Sequence, residues 1–171
     1  MNHNLKYGLF YGFISIAVTV AIIFIDYTLL TSAWLTLISI IVSVAILVAA
    51  GTELRKEQGG FLSFKKAFQS TCVIYLIGTV ISLLYLALQF NVLTPDTADK
   101  LQKVQINQTV AMLERFGADD QTIDQAVADA AQNRYGSPRM LLFSLVSAVV
   151  IGAIICLIVA AIVKKKEPEF I

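Results

Sequence analysis

The sequence predicts an all-α integral membrane protein, a four-helix bundle with an extracytoplasmic helical hairpin between spans three and four. Three observations predict it. Hydrophobic residues make up 57% of the chain and charged residues only 15%, with a mean hydropathy of +0.76, far from the balance of ordinary soluble domains. The apolar residues also fall in long runs: Gly8 to Gly51 contains one charge, Asp26, while Ala67 to Leu93 and Met140 to Val163 contain none. Because one span needs about 20 apolar residues, the first run holds two spans and the others one each. Lastly, the basic residues fall outside these runs, at the ends, in the short connection after span two, and, as Lys100, Lys103, Arg115 and Arg134, in the 91–138 segment, which carries seven acids and at its length informs orientation weakly.

Spans are expected near 6–26, 33–52, 64–90 and 139–163, forming one membrane domain over 1–171 with 91–138 as an insertion outside. Thr31, Ser32 and Ala33 resemble a signal-peptide cleavage site, but the preceding apolar run is longer than a usual signal core and another span follows at once. Thr28 to Ser32 is too short for anything but a tight connection, so spans one and two are expected to form an antiparallel hairpin. Ser63 is a good N-cap for span three, and Gly59-Gly60 lets the chain turn back before it.

Within the insertion, Thr94-Pro95-Asp96 reads as a helix start, with Thr94 as N-cap, and Gly117 as its stop. Leu101, Val104, Ile106, Val110, Leu113 and Phe116 give this helix a broad apolar stripe. A second helix should start at Asp119-Asp120 and stop near Gly136-Ser137-Pro138. In it Ile123, Ala126, Val127, Ala130 and Ala131 form one stripe at helical spacing. Self-packing of the two helices, the membrane surface and a partner protein would each cover such stripes.

Lys6 precedes span one; Arg55, Lys56, Lys65 and Lys66 lie between spans two and three; Lys164, Lys165 and Lys166 follow span four. No basic residue separates spans one and two. Basic residues favour the cytoplasmic side, so both termini are expected in the cytoplasm of a bacterial inner membrane. Tyr27, Trp34, Phe90 and Tyr135 suit the outer interface, and Tyr7, Phe61 and Phe64 the inner one.

Ionisable residues deep in a span usually mark transport or proton relay, and only Asp26 is a candidate, at the end of span one. It reads either as an interfacial turn residue or as a weak transport candidate at the outer mouth. Span three carries uncharged polar residues: Gln69, Ser70, Thr71, Cys72, Ser82 and Gln89. In membranes these generally hydrogen-bond to neighbouring helices for about 0.6 kcal/mol each. Ala148, Gly152, Cys156 and Ala160 form a smooth strip along span four, and Gly8 with Gly12 and Gly78 with Ser82 repeat the spacing. Such strips allow close helix packing, within the bundle or across a homo-oligomer. Cys72 and Cys156 sit at similar depth and are expected as reduced packing residues.

His3, the one histidine, falls in the N-terminal tail, and no His, Cys and acid set has metal-ligand spacing. No Ser-His or Cys-His couple and no nucleophile elbow can be assembled, so neither catalytic residues, cofactor nor metal is expected. Asn107-Gln108-Thr109 fits a glycosylation sequon, a pattern common by chance. A net charge of +1 gives no case for nucleic acid. The Gly59-Gly60 loop lacks the spacing and the strand of a phosphate-binding P-loop. Lys65 and Lys66 nonetheless stand in the first turn of span three, where the helix dipole disfavours cations by about 0.3–1 kcal/mol each. Attraction to an anionic leaflet, about 1 kcal/mol per basic residue, outweighs that, so Ser63, Lys65 and Lys66 are candidates for a lipid-phosphate contact.

The segments YGLFYGFISIAV, GGFLSFKKAF, MLERFGADDQTIDQA and LIVAAIVKKKEPEF together resemble the bacterial membrane-protein family DUF4199, over nearly the whole chain. The resemblance implies a four-span inner-membrane protein with no established activity and no catalytic residues to carry over. The expected function is that of a non-enzymatic structural, assembly or accessory component, partnered by membrane lipids, a second copy or another membrane protein. The alternative is a small oligomeric transporter or channel using Asp26 and the polar residues of span three.

Overall fold

The computed structural model describes residues 2–132 and 134–165; Lys166 lies outside them. The elements are α1 (His3–Asp26), a 3₁₀ turn (Tyr27–Thr31), α2 (Ala33–Glu57), α3 (Phe64–Leu88), a π turn (Gln89–Leu93), α4 (Pro95–Arg115), α5 (Asp120–Gln132) and α6 (Pro138–Val163). Among the described residues there is no strand, and Leu62 and Lys165 form an isolated antiparallel bridge.

Four helices, α1, α2, α3 and α6, are long and apolar enough to cross a membrane, as a multi-pass membrane protein requires. The shortest, α1, has 24 residues and at about 1.5 Å per residue rises about 36 Å, more than the ~30 Å hydrocarbon core. Their many Ile and Val residues are only moderate helix formers in water. In lipid a helix is the one way a single segment can satisfy its N–H and C=O groups internally, so the helix is favoured there. Large apolar side chains accordingly point outward on all four, among them Phe13, Phe24, Trp34, Ile41, Leu84 and Phe143.

Side-chain volume decides which helices meet. α3 packs against α1 on one side and α6 on the other, while α2 leans mainly on α6 and touches α1 little. Gly8 and Gly12 of α1 lie against Ile77 and Ile81 of α3, where an added Cβ would come within 2.7 Å and 2.9 Å of those side chains. Gly78 of α3 receives the Tyr11 ring, and Gly152 of α6 receives the Tyr75 ring. The main core lies between α2, α3 and α6 and contains Leu47, Ile74, Tyr75, Cys156, Val159 and Val163. A second core, of Phe90, Ala98 and Leu101, seats the base of α4 on the π turn, with Tyr27, Leu30 and Tyr135 around it.

α5 packs chiefly on α4, and its last residue, Gln132, accepts from Arg139 of α6. Gln102 donates to the carbonyls of Ala130 and Ala131, and Arg134 bonds Asp99 and the Pro95 carbonyl. Asp119 accepts from the Thr122 N–H at 3.2 Å, next to the start of α5. The Thr122 hydroxyl and N–H hold its carboxyl below the usual carboxylate range.

Several local expectations are corrected. Thr94 does not cap α4 with its side chain; its hydroxyl accepts from the Gln89 amide at 3.0 Å and closes the π turn instead. α5 ends at Gln132, before Gly136, and Gly136, at φ 80°, turns the chain into α6. The connection of α1 to α2 is short, as expected: a 3₁₀ turn in which Asp26 accepts from the Thr28 N–H. His3 is no tail residue: it opens α1, and with it α2 runs on to Glu57. The reason is a set of cross-helix bonds at that end. His3 Nε2 meets the Ala50 carbonyl at 3.1 Å and Nδ1 meets Glu57 at 3.0 Å. The Tyr7 hydroxyl donates to Glu53, and Lys6 pairs with it at 3.6 Å.

Candidate functional site

At the end where α2 passes into α3, Gly59 and Gly60 take φ of 78° and 94°, the left-handed region that suits glycine. The chain then runs extended through Leu62, whose backbone exchanges two 2.9 Å hydrogen bonds with Lys165. Ser63 caps α3 by accepting from the Lys66 N–H at 3.4 Å. Arg55 of α2 donates to the carbonyl of Val163, satisfying one of the free acceptors at the end of α6. The bridge brings the C-terminal lysines of α6 alongside the loop: Lys164 lies 5.7 Å from the Phe64 ring and Lys165 5.9 Å from the Phe61 ring. Lys65, Lys66, Lys164 and Lys165 are all exposed. Among the described residues none of the four has a carboxylate partner, whereas Lys6 and His3 are paired with the acids of α2. Sequence spacing pointed to Ser63, Lys65 and Lys66; the contribution of Lys164 and Lys165 depends on a contact across about a hundred residues that no local pattern announces.

The strip Ala148, Gly152, Cys156 and Ala160 faces inward. Ala148 is half-buried and the other three are buried, with Gly152 against Tyr75 and Cys72 packed on the core that holds Cys156. Both cysteines are free.

The polar residues of span three are largely engaged in structural bonds. Ser70 donates to Asn4 of α1 at 2.6 Å, Thr71 and Ser82 return to carbonyls of their own helix, and Gln89 bonds Tyr85 and Thr94. Asp26 is exposed and accepts from the Thr28 N–H and hydroxyl at 2.8 Å and 2.7 Å, the arrangement of a turn residue. Among the described residues no three His, Cys, Asp or Glu side chains are grouped to hold a metal.

The gap left between α1 and α2 was not anticipated. It is a cleft of about 310 Å³ whose walls include Ser15 and Thr19 of α1 and Thr36, Ser39 and Ser43 of α2, set among Ile, Leu and Val. Tyr11 closes one end by donating to Ser43 at 2.9 Å, since the Ser43 proton goes to the Ser39 carbonyl. Thr19 and Thr36 also donate to carbonyls four residues back. The hydroxyl oxygens therefore offer acceptor capacity to the cleft. The signal was present in the sequence as hydroxyls three and four residues apart on two consecutive spans, visible only once the two faces are known to look at each other.

Residues 6–165 match the model of a family described as a protein of unknown function, DUF4199. The chain belongs to the DUF4199 family. No curated protein and no solved structure matches it. The matched stretch runs from the first turn of α1 to the last described lysine, so in this DUF4199 chain the four long helices, the α4–α5 pair and the lysine-bearing end all belong to the family region.

Proposed function

We propose that this DUF4199 protein is a non-enzymatic component of the bacterial inner membrane, a four-helix bundle with both termini in the cytoplasm. It acts as a structural, assembly or accessory part through helix packing and the α4–α5 hairpin outside. The observation that carries the reading is the exposed apolar end of that hairpin. Phe116 is 80% exposed and Met112 56% exposed, while α5 packs chiefly on α4. A large aromatic held clear of its own core suits contact with another membrane protein or a second copy. The common side of the two termini is supported by the His3 bond to α2 and the Leu62–Lys165 bridge, and its cytoplasmic assignment by the lysines. A photo-crosslinking residue in place of Phe116 should trap a partner or a second copy in intact membranes. A protein that stays monomeric and uncrosslinked there would overturn the reading.

A small oligomeric transporter is the second reading, and the hydroxyl-lined cleft between α1 and α2 is the observation that favours it. Flux into proteoliposomes should then fall in a Thr19→Val, Ser39→Ala variant. An effect of Asp26→Asn with none from the cleft variant would return the argument to Asp26 and span three.

A further inference from the structure

We propose that Lys65, Lys66, Lys164 and Lys165, gathered by the Leu62–Lys165 bridge, form one platform that binds the phosphate head groups of anionic phospholipids. The inference rests on the reading that the four long helices span a membrane. A segment joining two such helices, and the end of a third, must lie at head-group level, and the platform consists of those parts.

Charge complementarity identifies the occupant. Acids and bases at this end are sorted by the fold. Glu53 and Glu57 point to Tyr7, Lys6 and His3 on the α1 side, and Arg55 is committed to the Val163 carbonyl. The ammonium groups of the platform, and Lys56 at the end of α2, then remain without a carboxylate among the described residues. Such a surface attracts anions, and the leaflet supplies them as lipid phosphates. The rings of Phe61 and Phe64 lie under Lys165 and Lys164, supporting the cations and presenting aromatic surface at the depth where such residues anchor proteins. Because Leu62 is 1% exposed and hydrogen-bonded on both sides of the bridge, loop and helix end are held together, so one head group can meet lysines from both.

The test is native mass spectrometry of the full chain released from detergent micelles, titrated with phosphatidylglycerol and, separately, phosphatidylcholine. Phosphatidylglycerol should be retained preferentially. Lys65→Gln, Lys66→Gln and Lys164→Gln, Lys165→Gln should each weaken it about 25-fold, since each basic residue is worth about 1 kcal/mol or about fivefold. Lys100→Gln, Lys103→Gln on α4 changes the charge equally and should leave retention unchanged. Equal retention of the two lipids, or equal loss in the α4 variant, overturns the proposal. A single pair whose removal has no effect overturns the shared platform. Incorporation of each variant into lipid nanodiscs separates this failure from that of the underlying reading, which would show as a chain that stays in aqueous buffer without detergent.

Discussion

Gly152 is where helix packing can be tested most sharply. A Cβ at this position would overlap the ring of Tyr75. The ring has little room to retreat, being 9% exposed and stacked on Tyr11 at 5.8 Å between centroids. Alanine should otherwise be the better helix residue by about 0.8–1.0 kcal/mol, whereas forced overpacking costs about 1–3 kcal/mol. Gly152→Ala should therefore be destabilising by up to about 2 kcal/mol and Gly152→Leu by more, with α6 pushed off α3. Reversible unfolding in mixed micelles measures both. Tyr75→Ala opens the space, so in that background Gly152→Ala should become neutral or stabilising. A Gly152→Leu protein as stable as the parent would refute the reasoning. So would a Tyr75/Gly152 coupling within the ~0.3–0.5 kcal/mol expected of independent sites.

Other outcomes follow from the same contacts. Ser137→Ala removes the oxygen that accepts from Met140 N–H at 3.2 Å and should cost about 1 kcal/mol, measured by unfolding in the same micelles. Tyr11→Phe removes the bond to Ser43, worth about 0.6 kcal/mol on the average for membrane helices, and should widen the distance distribution between spin labels on α1 and α2. For Asp119 the folded carboxyl is depressed by Thr122, so its contribution to α5 is present above the usual carboxylate range and is lost as pH falls through the folded value. Protection factors of the 120–132 amides, corrected for the intrinsic exchange rate at each pH, should fall on acidification in the parent and less so in Asp119→Ala.

The four apolar helices were legible because membrane burial demands long uninterrupted runs, a property of composition along one dimension. Gly59-Gly60 and Ser63 were legible for a similar reason, since a positive-φ turn and an N-cap are local chemistry. Which helices touch was not. The five-residue turn after Asp26 favours α1 beside α2, yet the glycine face of α1 meets Ile77 and Ile81 of α3, and what remains beside α2 is the cleft. Close packing between helices far apart in sequence depends on pairs of faces, and a small-residue strip names only one face of each pair. Thr94 shows the limit at short range: a cap motif lost its hydroxyl to Gln89, five residues earlier, because the chain leaves α3 through a π turn. His3 failed for the opposite reason, its partners Ala50 and Glu57 lying on another helix.

The central claim is a multi-pass chain whose lysine-bearing loop and outer helices lie on opposite sides of the membrane. Single cysteines placed at Lys56 and at Gln121, in a Cys72→Ala, Cys156→Ala background, test it directly with a membrane-impermeant maleimide. The Gln121→Cys protein should label in intact spheroplasts, and the Lys56→Cys protein only after permeabilisation. Labelling of both from the same side would contradict the claim.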